Sequence, residues 1–158
     1  MKILVDADSC PRATREVVLR ATQRTRIDAI FVANRPIPGL AGDTAVMDLC
    51  PFREGAADDR IVELARPGDV AVTRDIPLAC RLVEGSIRVI DDRGRVYTQE
   101  NIREQRSRRD FMCGLAENGL IEGRIRTYGK RELKAFADSF DRILSQLIRE
   151  NPSLGMSG

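Results

Sequence analysis

Short apolar runs alternate along this chain with segments of helical periodicity, and this alternation constrains the fold more than any other feature. Strands that alternate with helices at such spacing predict a mainly parallel sheet of about five strands with helices on both faces, a three-layer α/β architecture. Runs over 2–5, 29–33, 44–49, 70–73 and 87–90 are predicted to be the buried strands.

The segments between these runs carry apolar side chains on one stripe and turn residues at their ends. Pro11 suits the first turn of a helix, with Ser9 or Cys10 as its cap. Thr98 is predicted to cap a later helix that ends at about Glu117. Further helices are predicted from about residue 56, over 76–83 and over 130–148.

The length of 158 residues suits one domain, which we predict over 1–150, followed by a frayed tail over 151–158. The chain has no apolar run long enough to span a bilayer, and its first residues become acidic too soon for a signal peptide. We therefore expect a cytoplasmic protein that does not bind a membrane.

The chain has no histidine, which excludes Ser-His-Asp and Cys-His triads and histidine-held zinc, iron or copper sites. Acid–base or metal chemistry must therefore use Asp and Glu, whose oxygens select Mg²⁺ or Mn²⁺. The four cysteines form no CxxC pair and are predicted to be reduced and mostly buried. Cys10 falls at a predicted helix start, where a thiolate is favoured, but it lacks a histidine partner.

Aspartates follow the predicted strands at the points where those strands end. Because parallel strands present their carboxyl ends at one edge of the sheet, these side chains would repel one another there without a cation. The set therefore predicts a metal site, whereas any one member could instead cap a helix, as Asp59 could favour its helix dipole. The acids concerned are Asp6, Asp8, Asp58, Asp75, Asp91 and Asp92.

Residues 93–131 are basic, with nine Arg and one Lys against five acids, a local net charge of +5. Four arginines (103, 106, 108 and 109) fall within seven residues. They could form a solvated helix face paired with nearby acids, or a phosphate clamp. Aromatic residues are few, and only Tyr97 and Tyr128 are predicted to be exposed, so nucleic-acid contact should be mostly with the backbone.

Several motifs, taken together and in order, resemble the bacterial YaiI/YqxD family. The opening VDADSCP runs from Val5 to Pro11, and TRDIPLA runs from Thr73 to Ala79. Between and after them come VAN at 32–34, ADDRIV at 57–62, GDV at 68–70, RG at 93–94 and RDFM at 109–112. The resemblance covers nearly the whole chain up to about Leu147.

This family is similar to the PIN-like nucleases, which implies a parallel sheet with acids at its carboxyl edge. The resemblance implies that Asp6, Asp58 and Asp75 are catalytic and hold Mg²⁺ or Mn²⁺, with Asp8 as a fourth metal ligand. It implies hydrolysis of a phosphodiester, in RNA rather than DNA, with Arg103 and Arg109 as contacts to the substrate phosphate.

Two other functions compete with this one. The pair Asp6-x-Asp8 after a strand also resembles the haloacid dehalogenase phosphatases, but these need a lysine between that motif and the later acids. The chain has only Lys2, Lys130 and Lys134. A non-catalytic RNA- or protein-binding module on the same scaffold is the second alternative.

Asn34 could orient a water molecule or simply form a turn.

Overall fold

The computed structural model describes residues 1–40, 42–117 and 127–151, and over these ranges it contains six strands and five helices. The elements in chain order are β1 (Ile3–Asp6), α1 (Arg12–Thr25), β2 (Ala29–Ala33), β3 (Ala45–Leu49), α2 (Ala56–Leu64), β4 (Val70–Val72), α3 (Ile76–Glu84), β5 (Arg88–Ile90), β6 (Val96–Tyr97), α4 (Ile102–Glu117) and α5 (Lys130–Glu150). The predicted tail from residue 152 onward and most of the loop after α4 lie outside the described ranges.

The strands form one sheet in the order β3-β2-β1-β4-β5-β6. The first five are parallel, and β6 pairs antiparallel with β5 through Ile90 opposite Val96 and Val89 opposite Tyr97. The mainly parallel α/β prediction is confirmed. The strand β6 was not predicted, because a two-residue strand is too short to show a periodic pattern.

Successive strand residues point to opposite faces of the sheet and build two cores. Ile3 and Val5 face the side covered by α1 and α5, where the stacked rings of Phe136 and Phe140 lie 5.2 Å apart. Leu4 faces the other side, against residues of α2 and α3. The central strands are therefore buried on both faces, which is why they read as continuous apolar runs.

The start of α1 differs from the prediction. Pro11 itself is the N-cap, with a non-helical ψ of 149°, rather than Ser9 or Cys10. The Ser9 hydroxyl does not cap the helix because it donates to Asp6 Oδ2 at 2.8 Å. Thr98 lies four residues before the start of α4: its Oγ1 accepts the N–H of Asn101 at 3.2 Å, and its carbonyl accepts the N–H of Ile102 at 2.9 Å.

A tight turn follows β5 and brings the chain against α5. Gly94 adopts φ +88°, and a Cβ at this position would lie 2.5 Å from the Ala135 carbonyl oxygen. A larger residue would both strain the backbone and collide with the helix. No helix in the described part of the chain is long and apolar enough to cross a membrane.

Candidate carboxylate site

The carboxyl ends of the neighbouring strands β1 and β4 bring several acids to one edge of the sheet. Asp6 is the last residue of β1, and Thr73 to Asp75 follow β4 directly. Asp58 lies in the first turn of α2, which contacts β1. The parallel topology therefore gathers residues that are 17 to 69 positions apart in the sequence.

Asp6 is buried, with 6% of its surface exposed. Its Oδ2 accepts two hydroxyl hydrogen bonds, from Ser9 at 2.8 Å and from Thr73 at 2.9 Å. Burial raises the pKa of the Asp6 carboxyl, these hydrogen bonds oppose the increase, and the charges of Asp75 and Asp8 add to it. The other oxygen, Oδ1, has no hydrogen-bond partner within the described ranges.

Asp75 caps α3, as the capping alternative predicted for such residues. Its Oδ1 accepts the N–H of Leu78 at 3.0 Å, and its own N–H donates to Thr73 Oγ1 at 3.1 Å. The Thr73 hydroxyl thus bridges Asp6 and the backbone of Asp75. Capping uses only one carboxylate oxygen, so Asp75 still places negative charge in the site.

Asp58 differs from both, because its carboxylate has neither a hydrogen bond nor an ion pair among the residues that the structure describes. Gly55, not Asp58, is the N-cap of α2. Burial raises the pKa of Asp58 to about 6, with further increases from the charges of Asp75 and Asp6 and a decrease from Arg81. Asp58 is therefore a half-buried acid that faces other acids.

Asp8 is held by the neighbouring strand end. Its Oδ2 accepts the N–H of Asn34 at 2.9 Å, and its Oδ1 lies 3.9 Å from Arg35 Nε. Asn34 thus contributes its backbone to the turn after β2. The negative charge of Asp8 also raises the pKa of Asp6.

The donor set suits a hard divalent cation in its chemistry, because it consists of carboxylate oxygens that repel one another. As the side chains are placed, however, no group of three or more His, Cys, Asp or Glu within 1–40, 42–117 and 127–151 is arranged to hold a metal ion. One oxygen each of Asp6 and Asp75 is already hydrogen-bonded. The unpartnered Asp58 carboxylate and the remaining oxygens are the donors available to a cation.

The two acids after β5 have different surroundings. Asp91 holds the turn, since its Oδ1 accepts the N–H groups of Arg93 at 2.9 Å and Arg95 at 2.8 Å. Asp92 is buried, lies 4.0 Å from Arg74, and has its pKa raised by burial and then by Asp91. Tyr97, predicted to be exposed, is buried and donates to Asp91 Oδ2 at 3.3 Å. That prediction is wrong because Tyr97 belongs to the unpredicted strand β6.

Cys10 is buried beside these acids and is not an activated nucleophile. Burial, followed by the charge of Asp92, raises the pKa of its thiol to about 12. All four cysteines are free; Cys10, Cys50 and Cys80 are buried and Cys113 is exposed. The prediction of reduced, mostly buried thiols is confirmed.

The two predicted phosphate contacts lie on α4. Arg103 lines a cavity of about 320 Å³ between α3 and α4 together with Glu84 and Arg106. Glu84 is the last residue of α3, and Asp75 caps the first turn of that helix. The length of α3, about 13 Å, therefore separates the cavity that Arg103 lines from the carboxylates. Arg109 is exposed and pairs with Asp110 at 3.2 Å. The structure does not bring Arg103 to the acids.

Residues closer to the acids were missed by the sequence analysis. Ser9 and Thr73 hold Asp6, Arg74 pairs with Asp92, and Arg35 pairs with Asp8. The spacings Asp6-x-x-Ser9 and Thr73-x-Asp75, directly after two buried strands, were the available sequence signals. They could be interpreted as part of a site only once the two strands were known to be neighbours.

Fold and site together define a three-layer α/β protein whose carboxyl sheet edge is acidic. A family model described as "Uncharacterized BCR, YaiI/YqxD family" matches residues 4–146, and the chain belongs to that family. It is 47% identical over 149 residues to a UPF0178 protein of Treponema pallidum, covering 94% of this chain and 84% of that protein. It is 43% identical to a UPF0178 protein of Geobacter metallireducens, covering 95% and 97% of the two chains. No solved structure matches the chain.

Proposed function

We propose that the protein is a metal-dependent phosphodiesterase that cleaves nucleic acid, RNA rather than DNA, at the carboxyl edge of its sheet. The observation that carries this proposal is the Asp58 carboxylate, which lacks a partner in the described part of the chain and has a pKa raised to about 6. An ionised acid in this position lowers the stability of the fold, and a bound cation would remove the charge repulsion that causes this loss.

Asp6, Asp58 and Asp75 would hold Mg²⁺ or Mn²⁺, with Asp8 as a further carboxylate nearby. When bound, the ion would lower the pKa of a water molecule and neutralise charge on the phosphate. Thr73 orients Asp6 and Asp75 through one hydroxyl, and Ser9 fixes Asp6 from the other side. Arg109 stays a predicted phosphate contact, and Arg35 and Arg74 are the exposed cations paired to acids of this edge.

The phosphatase alternative gains no support from the position of Lys2. This lysine pairs with Asp69 at 2.6 Å, before β1 and β4 begin, and thus at the opposite edge of the sheet. The binding-module alternative makes a different prediction, because in that case the acids serve only as caps and turn residues. A direct test of metal binding separates it from the enzyme proposal.

The test is calorimetric titration of Mn²⁺ and Mg²⁺ into the wild type, Asp58→Asn and Asp59→Asn. Asp59 is a matched control: it is the next residue in α2, is exposed, and pairs with Arg81 at 3.0 Å and Arg53 at 3.7 Å. We expect metal binding that is lost in Asp58→Asn and kept in Asp59→Asn. On an RNA substrate, Asp58→Asn should lower turnover by about a hundredfold or more.

Equal binding by all three proteins would contradict the assignment of Asp58. Absence of metal binding in the wild type, both with and without RNA present, would contradict the enzyme proposal and leave the binding-module alternative.

A further inference from the structure

The loop between β3 and α2, at the carboxyl edge of the sheet, presents an aromatic ring to solvent. Phe52 has 85% of its surface exposed, the largest value among the exposed large apolar side chains of the described ranges. Burying a phenylalanine side chain contributes about 1.5–3 kcal/mol to folding, and Phe52 contributes almost none of this. Its ring is therefore available for a contact outside the folded chain.

The backbone of the loop holds this ring outward. Cys50 is buried and its N–H donates to the Ala33 carbonyl at 2.9 Å, which anchors the loop to the carboxyl end of β2. Arg53 N–H donates to the Pro51 carbonyl at 2.9 Å and closes a three-residue turn with Phe52 at its centre. Six residues later the same segment supplies Asp58.

The charges of this edge favour an aromatic contact. Acids dominate it, so a polyanionic ligand gains little from electrostatic attraction and needs a contact that charge does not oppose. A neutral ring stacked on a nucleobase supplies such a contact. Two exposed guanidiniums lie at the same edge: Arg53 and Arg35 form long ion pairs with Asp59 and Asp8, at 3.7 Å and 3.9 Å, beyond hydrogen-bond distance.

We propose that Phe52 is a base-stacking residue: its ring stacks on the face of an unpaired nucleobase of the substrate, and Arg53 contacts the adjoining phosphate. This inference rests on the proposed function, because it makes Phe52 a specificity-determining residue for the same site. Bases in a duplex are already stacked on their neighbours, so the contact selects an unpaired nucleotide next to the carboxylates.

The test is fluorescence anisotropy with labelled oligouridylate and with an RNA duplex of similar length, in the Asp58→Asn background, where cleavage should be slower by about a hundredfold or more. Phe52→Ala should weaken oligouridylate binding about tenfold or more, and Phe52→Trp should retain it. Duplex binding should not change. Phe111→Ala is the matched control, since Phe111 is 65% exposed on α4, which packs on α3 away from β3.

Three results would overturn the proposal: unchanged oligouridylate binding by Phe52→Ala, an equal loss in Phe111→Ala, or a Phe52-dependent change of mass in sedimentation without RNA. The last would assign Phe52 to an interface between copies of the chain. A Phe52-dependent affinity, together with a wild-type protein that binds no metal with or without RNA, would refute the hydrolysis proposal and leave the stacking site standing. Metal-dependent cleavage that Phe52→Ala does not affect would refute the stacking site and leave the hydrolysis proposal standing.

Discussion

Two aspartates at opposite edges of the sheet, Asp69 and Asp58, have opposite surroundings. At the amino edge, Asp69 is buried and fully partnered: it accepts from Lys2 N at 3.0 Å, Lys2 Nζ at 2.6 Å and Arg66 N at 2.8 Å. At the carboxyl edge, Asp58 has no such partner in the described part of the chain and faces Asp75 and Asp6. Asp69 is satisfied by its own chain and stabilises the fold, whereas the unpartnered Asp58 carboxylate is available to a ligand.

The largest effect on stability should come from Asp69→Ala at the amino edge. This change removes the buried acceptor shared by the N–H groups of Lys2 and Arg66 and the Lys2 ammonium, so we expect a loss of about 3 kcal/mol. Urea unfolding measures it. Asp28→Ala is the control, because Asp28 is exposed at the same edge and should change stability by less than about 0.5 kcal/mol. Similar small losses in both variants would contradict the structural role of Asp69.

An intermediate effect is expected from Thr73→Val at the carboxyl edge. The substitution removes the hydroxyl that donates to Asp6 at 2.9 Å and accepts from Asp75 N–H at 3.1 Å. We expect a loss of about 2 kcal/mol in urea unfolding and a further increase of the Asp6 pKa, measured by carboxyl NMR titration. Thr73→Ser keeps the hydroxyl and should restore both properties. An Asp6 pKa that does not move in Thr73→Val would refute the assigned hydrogen bond.

The smallest effect on stability is expected from Asp58→Asn, which should stabilise the fold, unlike the two changes above. Above pH 6 the folded protein keeps Asp58 ionised against burial and repulsion, whereas the unfolded chain ionises it freely above its ordinary pKa of 3.8. This cost is present at pH 7, decreases as the pH falls through 6, and is absent below about pH 4. Asp58→Asn should therefore raise the free energy of unfolding at pH 7 by about 1 kcal/mol, a value reduced by solvent screening of the half-buried group.

Denaturant unfolding of wild type and Asp58→Asn at pH 7 and pH 4 checks this prediction. Asp59→Asn loses only exposed ion pairs and should lower stability by about 0.5 kcal/mol or less. A destabilised Asp58→Asn at pH 7 would mean that Asp58 serves the dipole of α2 and not a ligand.

Much of the fold could be predicted from local pattern, because short apolar runs between turn residues are specific for buried parallel strands. The limits of α3 and α5 were predicted to within two residues. The strand β6 and the burial of Tyr97 could not be predicted, since both depend on a pairing with β5 that two residues do not encode. The exposure of Phe52 likewise depends on a turn closed by one backbone hydrogen bond.

The sequence by itself determined the chemistry that is available: no histidine, acids after the strands, and family motifs along nearly the whole chain. The tertiary structure alone decided what each acid does, because hydrogen bonds and charges act over a few ångströms, whereas the residues concerned are far apart in the chain. It made Asp91 a turn residue and Asp69 a buried ion-pair partner, it used one oxygen of Asp75 to cap α3, and it left Asp58 facing other acids. That difference in surroundings is what separates a candidate ligand from a structural residue of the same type.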